Sequence, residues 1–125
     1  MILVFVDFMN SEEEIPIYEA YLKKLGIAAK VTDSPDSWRH PSAYTHIFLD
    51  YGGMDMPGNS LFDHINREVY DVIENHPSRQ FIIISVMGKD WFERDFEMTA
   101  HNLTFMSNFR DKEELQKILS ISGPK

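Results

Sequence analysis

The sequence predicts an α/β protein, a three-layer α-β-α sandwich around a five-stranded parallel sheet. Three observations carry that expectation. Ile2–Val6, Ile47–Leu49 and Phe81–Val86 are apolar runs, rich in β-branched and aromatic residues, of the kind found in strands buried on both faces. Between them lie stretches whose apolar residues recur every three or four positions, as on one face of a helix. Strands alternating with helices imply parallel pairing through right-handed crossovers.

Taken in order, the first strand ends at Asp7. Ser11 with Glu14 forms a capping box, and Ile15, Tyr18, Leu22 and Leu25 form the apolar stripe of a first helix. Pro16 falls in its first turns, and Gly26 is suited to the C′ stop. Ile27–Thr32 reads as a second, weaker strand. Asp33–Ala43, with Pro35 and Pro41, reads as a loop. Trp38 within it either folds back as a lid on the core or stands out as an aromatic anchor for a partner. The third strand, Tyr44–Leu49, closes on Asp50, and a glycine-rich acidic loop carries the chain to a cap at Ser60 and Asp63.

The next helix shows its face in Leu61, Ile65, Val69, Val72 and Ile73, and stops at Asn75-His76-Pro77. Phe81–Val86 is the strongest strand and belongs in the centre. Lys89–Met98 reads as a short helix and Leu103–Met106 as a last strand. Asp111 with Glu114 caps a final helix whose stripe is Leu115, Ile118 and Leu119. Five strands connected in this way most often take the order 2-1-3-4-5, with a switch point between the first and third. Residues 1–125 read as one domain without repeats or linkers.

Composition narrows the function. The net charge is −8 with histidines neutral, a field that repels phosphate backbones and anionic lipid surfaces, so neither nucleic acid nor membrane is expected as a partner. There are no cysteines, which removes disulfides, thiolate catalysis and cysteine–zinc sites. The opening apolar run is too short for a signal-peptide core, and no run approaches the ~18 residues that span a bilayer. A cytoplasmic protein is expected.

The chemistry-bearing residues gather at strand ends. Asp7 and Asp50 are expected side by side at the switch point, where they are candidate Mg²⁺ ligands with Asp55 as a third. The competing use is ordinary, since acids at strand ends cap the following turns and stay solvated. Two carboxylates in one small volume disfavour each other's ionisation unless a cation sits between them, and Lys89 is the nearest basic candidate. Gly52, Gly53 and Gly58 permit close backbone approach but form no nucleotide-binding motif. None of the five histidines has metal-site spacing. Ser85 is a candidate nucleophile without the G-x-S-x-G elbow, and hydrogen bonding to backbone is its alternative use. Met54, Met56 and Met87 would give the same edge an adaptable apolar surface suited to a protein partner.

On these residues the chain resembles the receiver domain of response regulators, CheY-like proteins of flavodoxin-like fold. Asp7 matches the family's acidic metal-binding position, Asp50 its phospho-accepting aspartate, and Met56-Pro57 its Met-Pro segment. Ser85 matches the hydroxyl residue that closes strand four, and Phe109 the aromatic after strand five. The pattern is degenerate. Phe8 stands where a second acid belongs, three extra residues separate Asp50 from Met56-Pro57, and Asp33–Ala43 replaces the second helix. Ser107-Asn108 replaces the lysine–proline pair whose lysine contacts the phosphoryl group. The resemblance implies a regulatory or protein-interaction domain without efficient phosphotransfer, and not an enzyme. The alternative is a small flavodoxin-like enzyme or binding protein that uses Asp7 and Asp50 with Mg²⁺ or a phosphorylated small molecule.

Overall fold

The first strand, β1 (Ile2–Val6), has every side chain buried, and it is paired on both edges. A computed structural model describes residues 1–6, 11–50, 60–85, 90, 93–94, 99–106 and 108–120, with backbone alone for residues 11 and 60–66. The other strands are β2 (Ala29–Thr32), β3 (His46–Asp50), β4 (Gln80–Ile84) and β5 (Leu103–Met106). All four pairings are parallel, and the order is β2-β1-β3-β4-β5, as the sequence leads one to expect.

Alternation along the strands splits the core into two layers. Ile2, Val4, Val6, Phe48, Ile82, Ile84 and Met106 face α1 (Ser11–Lys24) and the C-terminal helix α4 (Lys112–Ser120), which contribute Tyr18, Leu22, Leu115 and Ile118. Leu3, Phe5, Ile47, Leu49, Phe81 and Ile83 face α2 (Asp36–Arg39) and α3 (Ser60–Asn75), which contribute Trp38, Val69 and Ile73. The segment expected as a helix over Lys89–Met98 is helical at Asp90, Glu93 and Arg94, and its remaining residues lie outside those described.

Helix ends follow their local chemistry. Gly26 sits at φ +71°, Ile27 N–H donates to the Leu22 carbonyl and Gly26 N–H to that of Lys23. This Schellman ending needs a left-handed residue, which glycine supplies without a Cβ penalty. It also uses the Ile27 N–H, so β2 begins at Ala29 and not at Ile27. At the start of α4 the Asp111 carboxylate accepts from Glu114 N–H at 3.1 Å, the cap expected from the sequence. Acids in the first turn of α1 and lysines in its last complement the helix dipole, and the helix continues through Pro16.

The expected loop at Asp33–Ala43 is instead the short α2 followed by a 3-10 turn at Pro41–Ala43. Two prolines and several cap-forming residues argued for irregular chain, but tertiary packing decided the outcome. Trp38 is 4% exposed, and its ring lies 6.2 Å from that of Phe5. Burying an indole on the sheet stabilises a single helical turn that local propensity would not hold. Trp38 is therefore the lid on the core. Arg39, beside it, lies over the indole at 5.3 Å and pairs with Glu68 of α3 at 2.9 Å.

Asn102, just before β5, is 1% exposed. Its Nδ2 lies within 3.0 to 3.1 Å of the carbonyls of Ile73, His76 and Arg79, so one amide gathers the end of α3 and the turn into β4. Its own carbonyl accepts from Phe81 N–H at 2.9 Å.

Two stability predictions follow from this packing. Ile83 is fully buried in the central strand β4, so Ile83→Ala should cost about 2–5 kcal/mol in chemical denaturation, and a loss under about 1 kcal/mol would contradict its placement. Asn102→Ala should cost about 1–3 kcal/mol by the same measurement, since it strips a donor from three inward-facing carbonyls.

Candidate site at the carboxyl edge of the sheet

Parallel register brings the strand ends to one edge. Val6 pairs with Asp50, and Asp50 with Ile84, so the acid that ends β3 stands beside the end of β1 at the switch point of the strand order. Asp50 is half-buried. Alternation places it on the same face as Phe48 and Ile84, toward α1 and α4.

The partner the fold supplies there is Tyr18. Its hydroxyl donates to Asp50 Oδ2 at 2.6 Å, a short charge-assisted bond across 32 positions of sequence. Tyr18 is 7% exposed, and its ring meets that of Phe109 edge-on at 4.7 Å. Phe109 is in turn edge-on to Phe48 at 5.3 Å and to Tyr21 at 5.8 Å. Burial pushes the Tyr18 phenol well above its usual range. The Asp50 carboxylate, as a charge and as an acceptor, adds to the effect, Glu14 adds less, and Arg110 opposes it.

From sequence Tyr18 read only as one member of an apolar stripe. The available signal was that a buried tyrosine requires a partner for its hydroxyl, while the stripe faces a sheet edge that ends in an acid.

Ser85, the other candidate, is 5% exposed, and its N–H donates to the Met106 carbonyl at 3.0 Å. It follows Ile84 and so lies one residue out of phase with Asp50. Asp7, Asp55, Lys89, the three glycines of the loop after Asp50, and Met54, Met56 and Met87 lie outside the described residues. Among the described residues no group of three or more histidine, aspartate or glutamate side chains gathers in a way that could hold a metal ion. His46 is buried, with Nδ1 3.0 Å from Thr45 Oγ1, and fits the reading of a packed histidine. His76 Nδ1 donates to the Val72 carbonyl at 2.8 Å at the end of α3. Among the described residues no helix is long and apolar enough to cross a membrane.

The raised Tyr18 pKa has a signed consequence. Above about pH 10 the unfolded chain loses this proton while the folded chain keeps it, so stability falls as pH rises further, by up to about 1.4 kcal/mol per pH unit. Denaturation curves of wild type and Tyr18→Phe across alkaline pH should show the steeper decline in wild type. Near neutrality the variant should be less stable by about 1.5 kcal/mol through loss of a hydrogen bond to a half-exposed carboxylate. Equal slopes would mean that Tyr18 ionises as freely in the folded protein as in the unfolded chain.

No protein-family model matches the chain, and no curated protein matches it. Among solved structures the chain is similar to the crystal structure of a CheY-like response regulator protein from Mesorhizobium loti. The two are 16% identical, the match covers 94% of this chain and 93% of the other, and the TM-score is 0.50. At that identity the likeness is one of fold. With the observed strand order it shows a receiver-like, flavodoxin-like architecture.

Proposed function

We propose that the protein is a receiver-like regulatory domain that acts by binding a protein partner through the loops at the carboxyl edge of its sheet, without efficient phosphotransfer. The observation that carries this reading is the Tyr18–Asp50 hydrogen bond. An aspartate that accepts a phosphoryl group, or holds Mg²⁺, must offer its carboxylate oxygens to them. Here a buried tyrosine donates to one of those oxygens, at a length typical of a strong bond to an ionised acceptor. Departures in sequence support the same conclusion, since Phe8 and Ser107-Asn108 stand where a receiver domain carries an acid and a lysine–proline pair. The solved structure of similar fold is named as a CheY-like response regulator, which makes signal transduction the natural setting.

A second reading is favoured by one feature. Asp50 lies at the switch point, the usual ligand crevice of an open parallel sheet, where with Asp7 and Asp55 it would bind Mg²⁺ or a phosphorylated small molecule. Thermal melting of wild type and Asp50→Asn, each with and without Mg²⁺ and beryllofluoride, separates the two. The regulatory reading expects no additive-dependent rise in Tm for either protein. A rise in wild type that Asp50→Asn abolishes would replace it with the second reading.

A further inference from the structure

Apart from the strand-edge acids, a cleft of about 390 Å³ opens between α1 and residues 108–110, which lead from β5 into α4. Its exposed lining is more polar than apolar: Tyr18, Phe109 and Ile84 border it while largely buried, and Glu14 and Arg110 bring opposite charges to it. Its volume is in the range of small-molecule sites.

The cleft is built in advance of any ligand. Tyr18 is held through its hydroxyl by Asp50, and Phe109 is wedged edge-on among Tyr18, Tyr21 and Phe48. The Tyr21 hydroxyl donates to the Arg110 backbone carbonyl at 3.2 Å, which ties the segment to the helix. Arg110 N–H donates to Asn108 Oδ1 at 3.0 Å and fixes the local turn. Preorganisation of this kind lowers the entropic cost of binding.

The charges decide what fits. Arg39 pairs with Asp36 and Glu68, and among the described residues no ion pair joins Glu14 to Arg110. Glu14 and Arg110 thus face one cleft without forming an ion pair with each other. Both are close enough to Tyr18 to act on its hydroxyl, in opposite directions. A ligand that carries both charges can pair with both walls at once, whereas a ligand of single charge pairs with one. The net charge of −8 further disfavours a simple anion.

We propose that this cleft binds a free amino acid, with its ammonium group on Glu14, its carboxylate on Arg110 and an apolar side chain against Phe109, Tyr18 and Ile84. The site adjoins Asp50 through Tyr18, and its occupant does not depend on the regulatory reading.

The test is calorimetric titration of the full chain with L-phenylalanine and L-leucine, and with N-acetyl-phenylalanine and phenylalaninamide, each of which lacks one charge. At least one free amino acid should bind saturably, and either capped analogue should bind about tenfold or more weakly. Arg110→Gln should erase the preference for phenylalanine over its amide while keeping the preference over the acetyl derivative. Glu14→Gln should do the reverse. Arg110 is exposed and Glu14 partly so, and unchanged melting temperatures would certify the variants as folded. Absence of saturable binding by both free amino acids at about 10 mM overturns the proposal, as does binding that neither substitution weakens. Neither result alters what Mg²⁺ and beryllofluoride report about Asp50.

Discussion

Parallel pairing of β1 with β3 is the constraint on which the architecture depends. β1 is buried along its whole length and hydrogen-bonded on both edges, so it cannot slip by one residue without exchanging the two apolar layers. Because β2 lies on its other side, the order of strands reverses across the sheet between β1 and β3, the position at which open parallel sheets generally form a crevice. Asp50 stands at that switch point because the register pairs it with Val6. Its position follows from the fit of apolar side chains far below it, Leu3 against Ile47 and Val4 against Phe48.

Much of this is legible in the sequence because it rests on short-range patterns. Uninterrupted apolar runs reveal doubly buried strands, the 3.6-residue stripes reveal helices, and Gly26 and Asp111 mark ends by chemistry confined to a few neighbours. What is not legible depends on long-range contact. The helical turn at Asp36–Arg39 exists because Trp38 finds Phe5, a partner more than thirty positions away. Asn102 looks like an unremarkable polar residue before a strand, and its role emerges only when three carbonyls converge on it.

The candidate site divides in the same way. Asp50 announces itself as an acid closing an apolar strand, and its neighbours in the sheet follow from strand order. Its tyrosine donor does not, since Tyr18 satisfies the helical apolar stripe equally well as a hydrophobic residue. One residue does two things there. The ring completes the packing under α1 against Phe109, while the hydroxyl projects from that packing to the carboxylate. The state of Asp50 is thereby connected mechanically to the ring cluster that joins α1 to the start of α4.

The Asn102 knot has a kinetic meaning as well as a structural one. The carbonyls it binds belong to residues 73–79, completed in the chain well before residue 102 is available. The Ile73 and His76 carbonyls also accept local bonds from His76 and Arg79 N–H, so during folding the segment leading into β5 adds a second donor to them and supplies one to the Arg79 carbonyl. In reverse, detachment of the edge strand releases all three acceptors at once, so the end of α3, the turn and β5 form one cooperative opening unit and not three that fray independently. An edge strand is ordinarily the first part of a sheet to loosen. Here its departure is coupled to the unravelling of a helix end, which raises the free energy of opening at the place where the sheet would otherwise be weakest.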